Sequence, residues 1–323
     1  MRVYKVNQYF KNIIVLTTIQ RKLLPAKALL GLAFVVSAAA CSPIKILNAM
    51  VPQSTYKLES GIAFGKLPRQ KLDIYLPNTA SENEAQKTRK VVIFYYGGSW
   101  DSGERGDYKF VGEALASLGY IVVIPDYRVY PDVLFPALMD DPALAARWVK
   151  DNINQYQGDA NQVFLAGHSA GAHIAVMLAV NAEYLAKQSL KPIDFAGVIG
   201  LAGPYDFLPL KSDRLKIIFG SASEQANSQP INFVDGKSPP MLLAVGLKDG
   251  TVWPRNTYNL AKKIKENNGL VQVVEFENYG HIDMAAKLAK PLRGNGELLK
   301  VVADFILNVP EKQVSKVAIH KKD

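Results

Sequence analysis

The chain has 323 residues, 49% of them hydrophobic and 21% charged, an ordinary globular composition that can bury one large core and excludes a mostly disordered chain. Its formal net charge of +9 is concentrated at the ends: residues 1–40 carry Arg2, Lys5, Lys11, Arg21, Lys22 and Lys27 and no acid, which leaves 32 basic against 29 acidic residues in the remainder. No basic face interleaved with aromatic side chains runs through the body, so a nucleic-acid partner is not expected.

In chain order, the first signal is a leader. Lys22 and Lys27 precede an apolar run over residues 28–36, and small residues 37–40 lead into Cys41, the single cysteine. One cysteine forms no intrachain disulfide. The pattern reads as a secretory signal over residues 1–40. A cysteine directly after the small residues resembles a bacterial lipobox, with Cys41 as the lipidated position, although Ala38 stands where leucine is usual. The apolar run is short for a membrane span. The expectation is therefore a protein of the bacterial cell envelope, held to a membrane by two or three acyl chains on Cys41. A secreted or periplasmic form and an uncleaved anchor are the alternatives. Residues 41–54 read as a linker, and residues 309–323, with Lys312, Lys316, Lys321 and Lys322, as a basic tail.

Between them, residues 55–308 read as one α/β domain. Residues 57–65 and 70–77 alternate as a hairpin does and predict an antiparallel edge. Residues 78–88 are polar and read as a loop. The chain then alternates strands buried on both faces with helices: strands at 90–98, 120–128, 162–167, 195–203, 239–246 and 270–277, and helices at 108–118, 137–156, 169–187, 257–269 and 296–309. Pro142 falls in the first turns of the second helix, where a proline is tolerated. Such alternation predicts a mostly parallel sheet with helices on both faces. The stretch 204–238, rich in Ser, Asn, Gln and Pro, interrupts the alternation and reads as a small cap over the carboxyl edge of the sheet, where sites in such folds lie.

The chemistry-bearing motif is GHSAG, residues 167–171. It falls between a predicted strand and a predicted helix, so small residues allow a sharp turn that presents Ser169 at the sheet edge, with the positive helix end facing the reacting centre. A serine needs a base. His281, in NYGHIDM after the last strand, stands in a carboxyl-edge loop and is the candidate. His173 lies on the helix after the serine and reads as packing, His168 is expected to point its ring away from the site, and His320 lies in the tail. Asp249, in GLKDGTV after the fifth parallel strand, is the candidate orienting acid. Asp206, in GPYDF, competes from one strand earlier, with a turn or helix cap as its ordinary role. Ser169, Asp249 and His281 follow one another at intervals that suit a strand–helix unit plus a cap.

The stretches VVIFYYGGSWDSGERGDY, GYIVVIPDYRVYP, VFLAGHSAGAHIA, LLAVGLKDGTV and YGHIDM together resemble the α/β-hydrolase superfamily, over roughly residues 55–308. They are most similar to its esterase branch with an HGGGW-type loop, which includes hormone-sensitive-lipase-like, feruloyl-esterase-like and prenylcysteine-methylesterase-like proteins. The order Ser, Asp, His is the one that superfamily shows. The resemblance implies a carboxylesterase acting on a small-molecule ester through an acyl-enzyme, with no cofactor and no metal. It implies an oxyanion hole made by the backbone N–H groups of Gly98, Ser99 and Ala170. This chain has Tyr96 where the family has histidine and Ser99 where it has a third glycine. Backbone donors survive that exchange, and Tyr96 is expected to brace the loop by packing and by one hydrogen bond. Asp126 and Arg128, from DYR, are implied to pin loops beneath the site, while Trp100 either lines the pocket or covers the loop. An arylformamidase-like amide hydrolase on the same triad and a catalytically silent envelope binding protein are the competing functions. Acyl and alcohol specificity and oligomeric state are not legible.

Overall fold

The structure is a computed structural model that describes residues 43–78 and 88–309. The chain divides into a leading unit, residues 1–46, and a main unit, residues 47–323. Helix α1 (Pro43–Ala49) falls inside the stretch expected as linker. The signal-like run, Cys41 and the basic tail beyond residue 309 lie outside the described residues.

Eight strands among the described residues form one sheet in the order β1-β2-β4-β3-β5-β6-β7-β8. At one edge β1 (Tyr56–Ala63) and β2 (Lys71–Pro77) pair antiparallel, and β2 pairs antiparallel with β4 (Ile121–Pro125). β3 (Arg89–Tyr95), β4, β5 (Gly158–His168), β6 (Gly197–Leu201), β7 (Met241–Gly246) and β8 (Val271–Phe276) run parallel. The α/β fold, with its antiparallel edge and mostly parallel sheet, is the architecture expected from the alternation.

Every residue of β4, β6 and β7 is buried, so both faces of the central sheet are covered. Continuous apolar runs such as IVVIP and MLLAVG are what such strands require. The helices that follow α1 are α2 (Lys109–Ala116), α3 (Asp140–Asn152), α4 (Ala170–Val180), α5 (Ala182–Ala186), α6 (Asp213–Phe219), α7 (Arg255–Glu266), α8 (Asp283–Ala286) and α9 (Glu297–Asn308). α4 is buried at all of its positions and apolar all round, as a helix enclosed on every side must be. α7 carries an apolar stripe, with Leu260, Ala261 and Ile264 buried and its lysines outward.

Two expectations need correction. The helix expected over residues 169–187 breaks at Asn181, which adopts φ −105° and ψ 102° and accepts a hydrogen bond from Glu183 N–H. Asparagine competes with helical hydrogen bonding and caps the new helix α5 instead. The helix expected over 137–156 is α-helical only over α3, with 3-10 turns at Ala137–Met139 and Ile153–Tyr156. The stretch expected as a cap holds α6 and two 3-10 turns, Gln225–Ser228 and Pro230–Phe233.

From β3 the chain moves to β4 on one side and then returns to β5 on the other. The sheet order therefore reverses between β3 and β5, and a crevice opens at the carboxyl ends of these two strands. Pairing of Tyr95 with Gly167 and of His168 with Leu201 brings those ends level.

Candidate active site

Ser169 occupies the turn between β5 and α4 with φ 55° and ψ −123°, a sparsely populated backbone region for a residue with a side chain. Its N–H donates to Leu201 O at 2.9 Å, tying the turn to β6. The turn is tight enough to need both glycines of the motif. A Cβ on Gly171 would lie 1.9 Å from Tyr95 O, and one on Gly167 2.3 Å from the Gly171 backbone. Helix α4 can approach β3 and β5 this closely only without those side chains.

The candidate acid and base come from the loops after β7 and β8. After β7, Asp249 lies on a turn in which its Oδ1 accepts from Thr251 N–H at 2.9 Å and Val252 N–H at 2.8 Å. After β8 comes His281. The two loops are laced by backbone hydrogen bonds from Leu247 N–H to Phe276 O and from Lys248 N–H to Tyr279 O, both 3.0 Å. Asp283 Oδ2 accepts from Gly280 N–H at 2.8 Å and closes the histidine loop. This scaffold places His281 Nδ1 2.7 Å from Asp249 Oδ2 and His281 Nε2 2.8 Å from Ser169 Oγ. One tautomer satisfies both contacts: Nδ1–H donates to the carboxylate and Nε2 accepts from the serine hydroxyl. Burial pushes the Asp249 carboxyl up, but the hydrogen bonds from His281 and from the Val252 and Thr251 amides outweigh it, and the group stays ionised below the usual carboxylate range. The competing acid, Asp206, is engaged elsewhere: its Oδ2 accepts from Asn259 Nδ2 at 2.6 Å, and its N–H donates to Asn256.

The glycine loop follows β3. Gly98 has φ 139°, while Ser99 and Trp100 have φ 51° and 60°. The loop is closed by Asp101 N–H and Ser102 N–H, which both donate to Gly98 O at 3.0 Å. A Cβ on Gly97 would lie 3.1 Å from Ser169 Cβ, so the loop rests directly against the elbow. Ala170 opens α4, where N–H groups have no helical partner.

Tyr96 braces this loop more extensively than the single hydrogen bond expected. It is fully buried and stacked between Tyr127 and Tyr108, with centroids at 4.4 and 6.0 Å. Its hydroxyl donates to Asp126 Oδ1 at 3.1 Å and accepts from Arg69 at 3.0 Å. Arg69 also donates to Gly103 O at the far end of the loop. Asp126 takes Arg105 N–H at 2.7 Å and pairs with its guanidinium, while Arg128 holds Asp141 through two side-chain contacts of 2.7 and 2.9 Å. Asp126 thus pins the glycine loop, and Arg128 ties the chain after β4 to the first turn of α3.

The remaining histidines separate. His173 is buried, with Nε2 2.7 Å from Ser228 O, and burial lowers it to about 4. It packs edge-on against Trp100 at 5.0 Å. His168 does not point away from the site: its Nε2 lies 2.9 Å from the backbone oxygen of His281, and the two rings are 4.9 Å apart. Burial and the neighbouring His281 lower it to about 4, so it stays neutral and donates to that carbonyl. Nothing in the local sequence around His168 signals this contact, because it joins residues 113 positions apart.

In front of Ser169 lies a cavity of about 410 Å³. Ser99 and Trp100 form one wall. Phe207 and Leu215, from the stretch expected as a cap, form the second, and Val252 and Trp253, from the acid's own loop, the third. Trp100 therefore lines the pocket and also anchors it, stacking on Phe207 at 5.7 Å and edge-on to Phe219 at 4.8 Å. Among the described residues no group of three or more His, Cys, Asp or Glu side chains is arranged to hold a metal ion.

A family model described as BD-FAE matches residues 72–264. Isoprenylcysteine alpha-carbonyl methylesterase ICME from Arabidopsis thaliana is 28% identical over 264 residues, covering 75% of this chain and 60% of that one. Esterase LipC from Mycobacterium tuberculosis is 26% identical over 245 residues, covering 68% of this chain and 58% of its own. The chain thus spans about three fifths of the length of these curated relatives. A truncated carbohydrate esterase from gut microbiota superposes with a TM-score of 0.65 at 20% identity, covering 79% of this chain and 97% of that one, which is a likeness of fold.

Proposed function

The chain belongs to the BD-FAE family, an α/β-hydrolase family, and from that premise we propose that it is a carboxylic-ester hydrolase working through Ser169, His281 and Asp249. The observation that carries the reading is the pair of contacts at 2.7 and 2.8 Å that runs from Asp249 through His281 to the Ser169 hydroxyl. The esterase and methylesterase names of the relatives support ester cleavage as the reaction class.

In the proposed reaction His281 Nε2 takes the Ser169 proton as Oγ attacks the ester carbonyl. Asp249, ionised and acceptor-only, holds Nδ1–H and stabilises the imidazolium that forms. The carbonyl oxygen becomes an oxyanion held by the N–H groups of Gly98, Ser99 and Ala170, with the positive end of α4 behind it. His281 returns the proton to the leaving alcohol, and an acyl-Ser169 remains. Water, activated by the same imidazole, releases the acid. One donor of such a hole typically contributes about 3 kcal/mol in the transition state, and the tight turn at Gly98 and Ser99, which rests against the Ser169 elbow, supports their place in it.

The test is hydrolysis of short p-nitrophenyl esters by the parent and by Ser169→Ala. We expect kcat to fall at least about 10³-fold in the variant. Equal turnover by both proteins would remove Ser169 from the reaction.

The second part of the proposal concerns location. Cys41 follows a secretory-type leader, and acylation there would hold the enzyme to a membrane. No helix among the described residues is long and apolar enough to cross one. Expressed with its leader in a bacterial host, the full chain should enter the detergent phase on Triton X-114 partition, and Cys41→Ser should move it to the aqueous phase. A wild-type protein already in the aqueous phase would end the lipoprotein reading.

A further inference from the structure

The walls of the cavity before Ser169 are mainly apolar, but its rim carries a definite charge. Lys211, from the chain leading into α6, and Arg255, the first residue of α7, both line it. Both stand over the face of Trp253: Lys211 Nζ lies 5.8 Å from the ring centroid and the Arg255 guanidinium carbon 5.4 Å. Trp253 is itself 53% exposed. An indole this open, at the mouth of a pocket and with two cations over its face, holds two positive charges at the rim.

No carboxylate belongs to the cavity lining. The acids closest in sequence are already engaged: Asp101 with Arg214, Asp213 with Lys216, Asp206 with Asn259, and Asp249 with His281. Neither Lys211 nor Arg255 forms an ion pair among the described residues. The first turn of α7, which starts at this rim, holds no acid, so its N–H groups add to the positive field. Many exposed cations mark only a solvated face. These two differ because they share one aromatic ring, border the pocket that contains the nucleophile, and have no neutralising partner there.

We propose that Lys211 and Arg255, held at the pocket mouth over Trp253, select esters that carry a carboxylate on the leaving group, the anion pairing with the two cations. This rests on the esterase reading, and it adds a substrate charge that the triad alone leaves open. Hydrolysis would leave a hydroxycarboxylate product with its anion still held at the rim, while the acyl group stays on Ser169 for deacylation.

The test compares 4-butyryloxybenzoate with 4-butyryloxybenzamide, which match in shape and differ in charge. The readout is the ratio of their kcat/KM values, in which losses common to both substrates divide out. We expect a ratio well above one for the parent. Lys211→Gln and Arg255→Gln should each lower it about three- to fivefold, the size of a partly exposed ion pair worth roughly 1 kcal/mol. Lys211→Arg and Arg255→Lys should keep most of it. Raising ionic strength from 0.02 to 0.5 M should shrink the parent's ratio toward one, as screening requires, whereas a packing effect would not respond to salt. Lys262→Gln, on the outward side of α7, is the control and should leave the ratio alone.

A ratio near one that neither Gln variant nor salt moves overturns the proposal while leaving the esterase reading intact. If the parent cleaves neither ester nor any p-nitrophenyl ester, the esterase reading fails. Calorimetric titration with 4-hydroxybenzoate and 4-hydroxybenzamide then decides the anion site alone: tighter binding of the benzoate, lost in Arg255→Gln, keeps it, and equal binding removes it.

Discussion

His168 is the residue whose role was least visible in the motif that contains it. It precedes the candidate nucleophile, yet its ring contacts the candidate base, with Nε2 2.9 Å from His281 O. A group that fixes the backbone of a general base controls the aim of its imidazole, and small errors of aim cost large factors in rate. Gln places an N–H donor near the position of Nε2, while Leu offers none. His168→Gln should therefore keep kcat within about tenfold of the parent, and His168→Leu should lower kcat far more than it raises KM. Equal kcat for the parent and both variants would reduce His168 to packing. Ser169, His281 and Asp249 were each legible as candidate residues, since each follows a strand at the carboxyl edge. The contact between His168 and His281 was not, because a pentapeptide does not state which side chains its own neighbours meet across the sheet.

At the scale of elements, the loop after β3 depends on what lies beneath it. Tyr96 ties the loop to Asp126, Arg69 and two stacked tyrosines. Tyr96→Phe keeps the ring and removes the hydroxyl, leaving buried Asp126 and half-buried Arg69 each short of one partner. The expected cost is about 1–3 kcal/mol of stability, read from urea unfolding midpoints, with a fall in kcat as the loop loses its brace. An unchanged midpoint and unchanged kcat would show that stacking alone holds the loop. Element type was readable where the pattern was strong, as in the continuous apolar runs of β3 and β7 and the apolar stripe of α7. It failed at Asn181, where an apolar run continues past a residue whose side chain prefers to cap, and inside residues 204–238, where α6 is only seven residues long and takes its stability from packing.

For the whole molecule, the buried histidines set an acid limit. His168 and His173 are each lowered to about 4 in the folded state, chiefly by burial, from an ordinary value of 6.5. Below pH 6.5 the unfolded chain gains protons that the folded chain refuses. A depressed pKa of this kind gives stability that is complete above about pH 6.5 and lost as pH falls toward 4. The two groups together amount to several kcal/mol, at roughly 3 kcal/mol each for a shift of this size. Asp249, held below its ordinary 3.8, extends the same trend to still lower pH. Unfolding free energy should be flat from pH 7 to 8 and fall steeply from pH 6 to 4, and a flat profile to pH 4.5 would contradict the burial of both rings. The sequence by itself determined the α/β alternation, the sheet edge on which the candidate site lies and the choice of Ser169, Asp249 and His281 as its candidate residues, because strand and helix patterns and the strand–turn–helix context are local properties. Only the tertiary structure decided that His168 meets His281, that Tyr96 closes a buried network, and that Lys211 and Arg255 share Trp253 at the pocket mouth. Those contacts join residues far apart in the chain, and their geometry is fixed by packing rather than by any local preference.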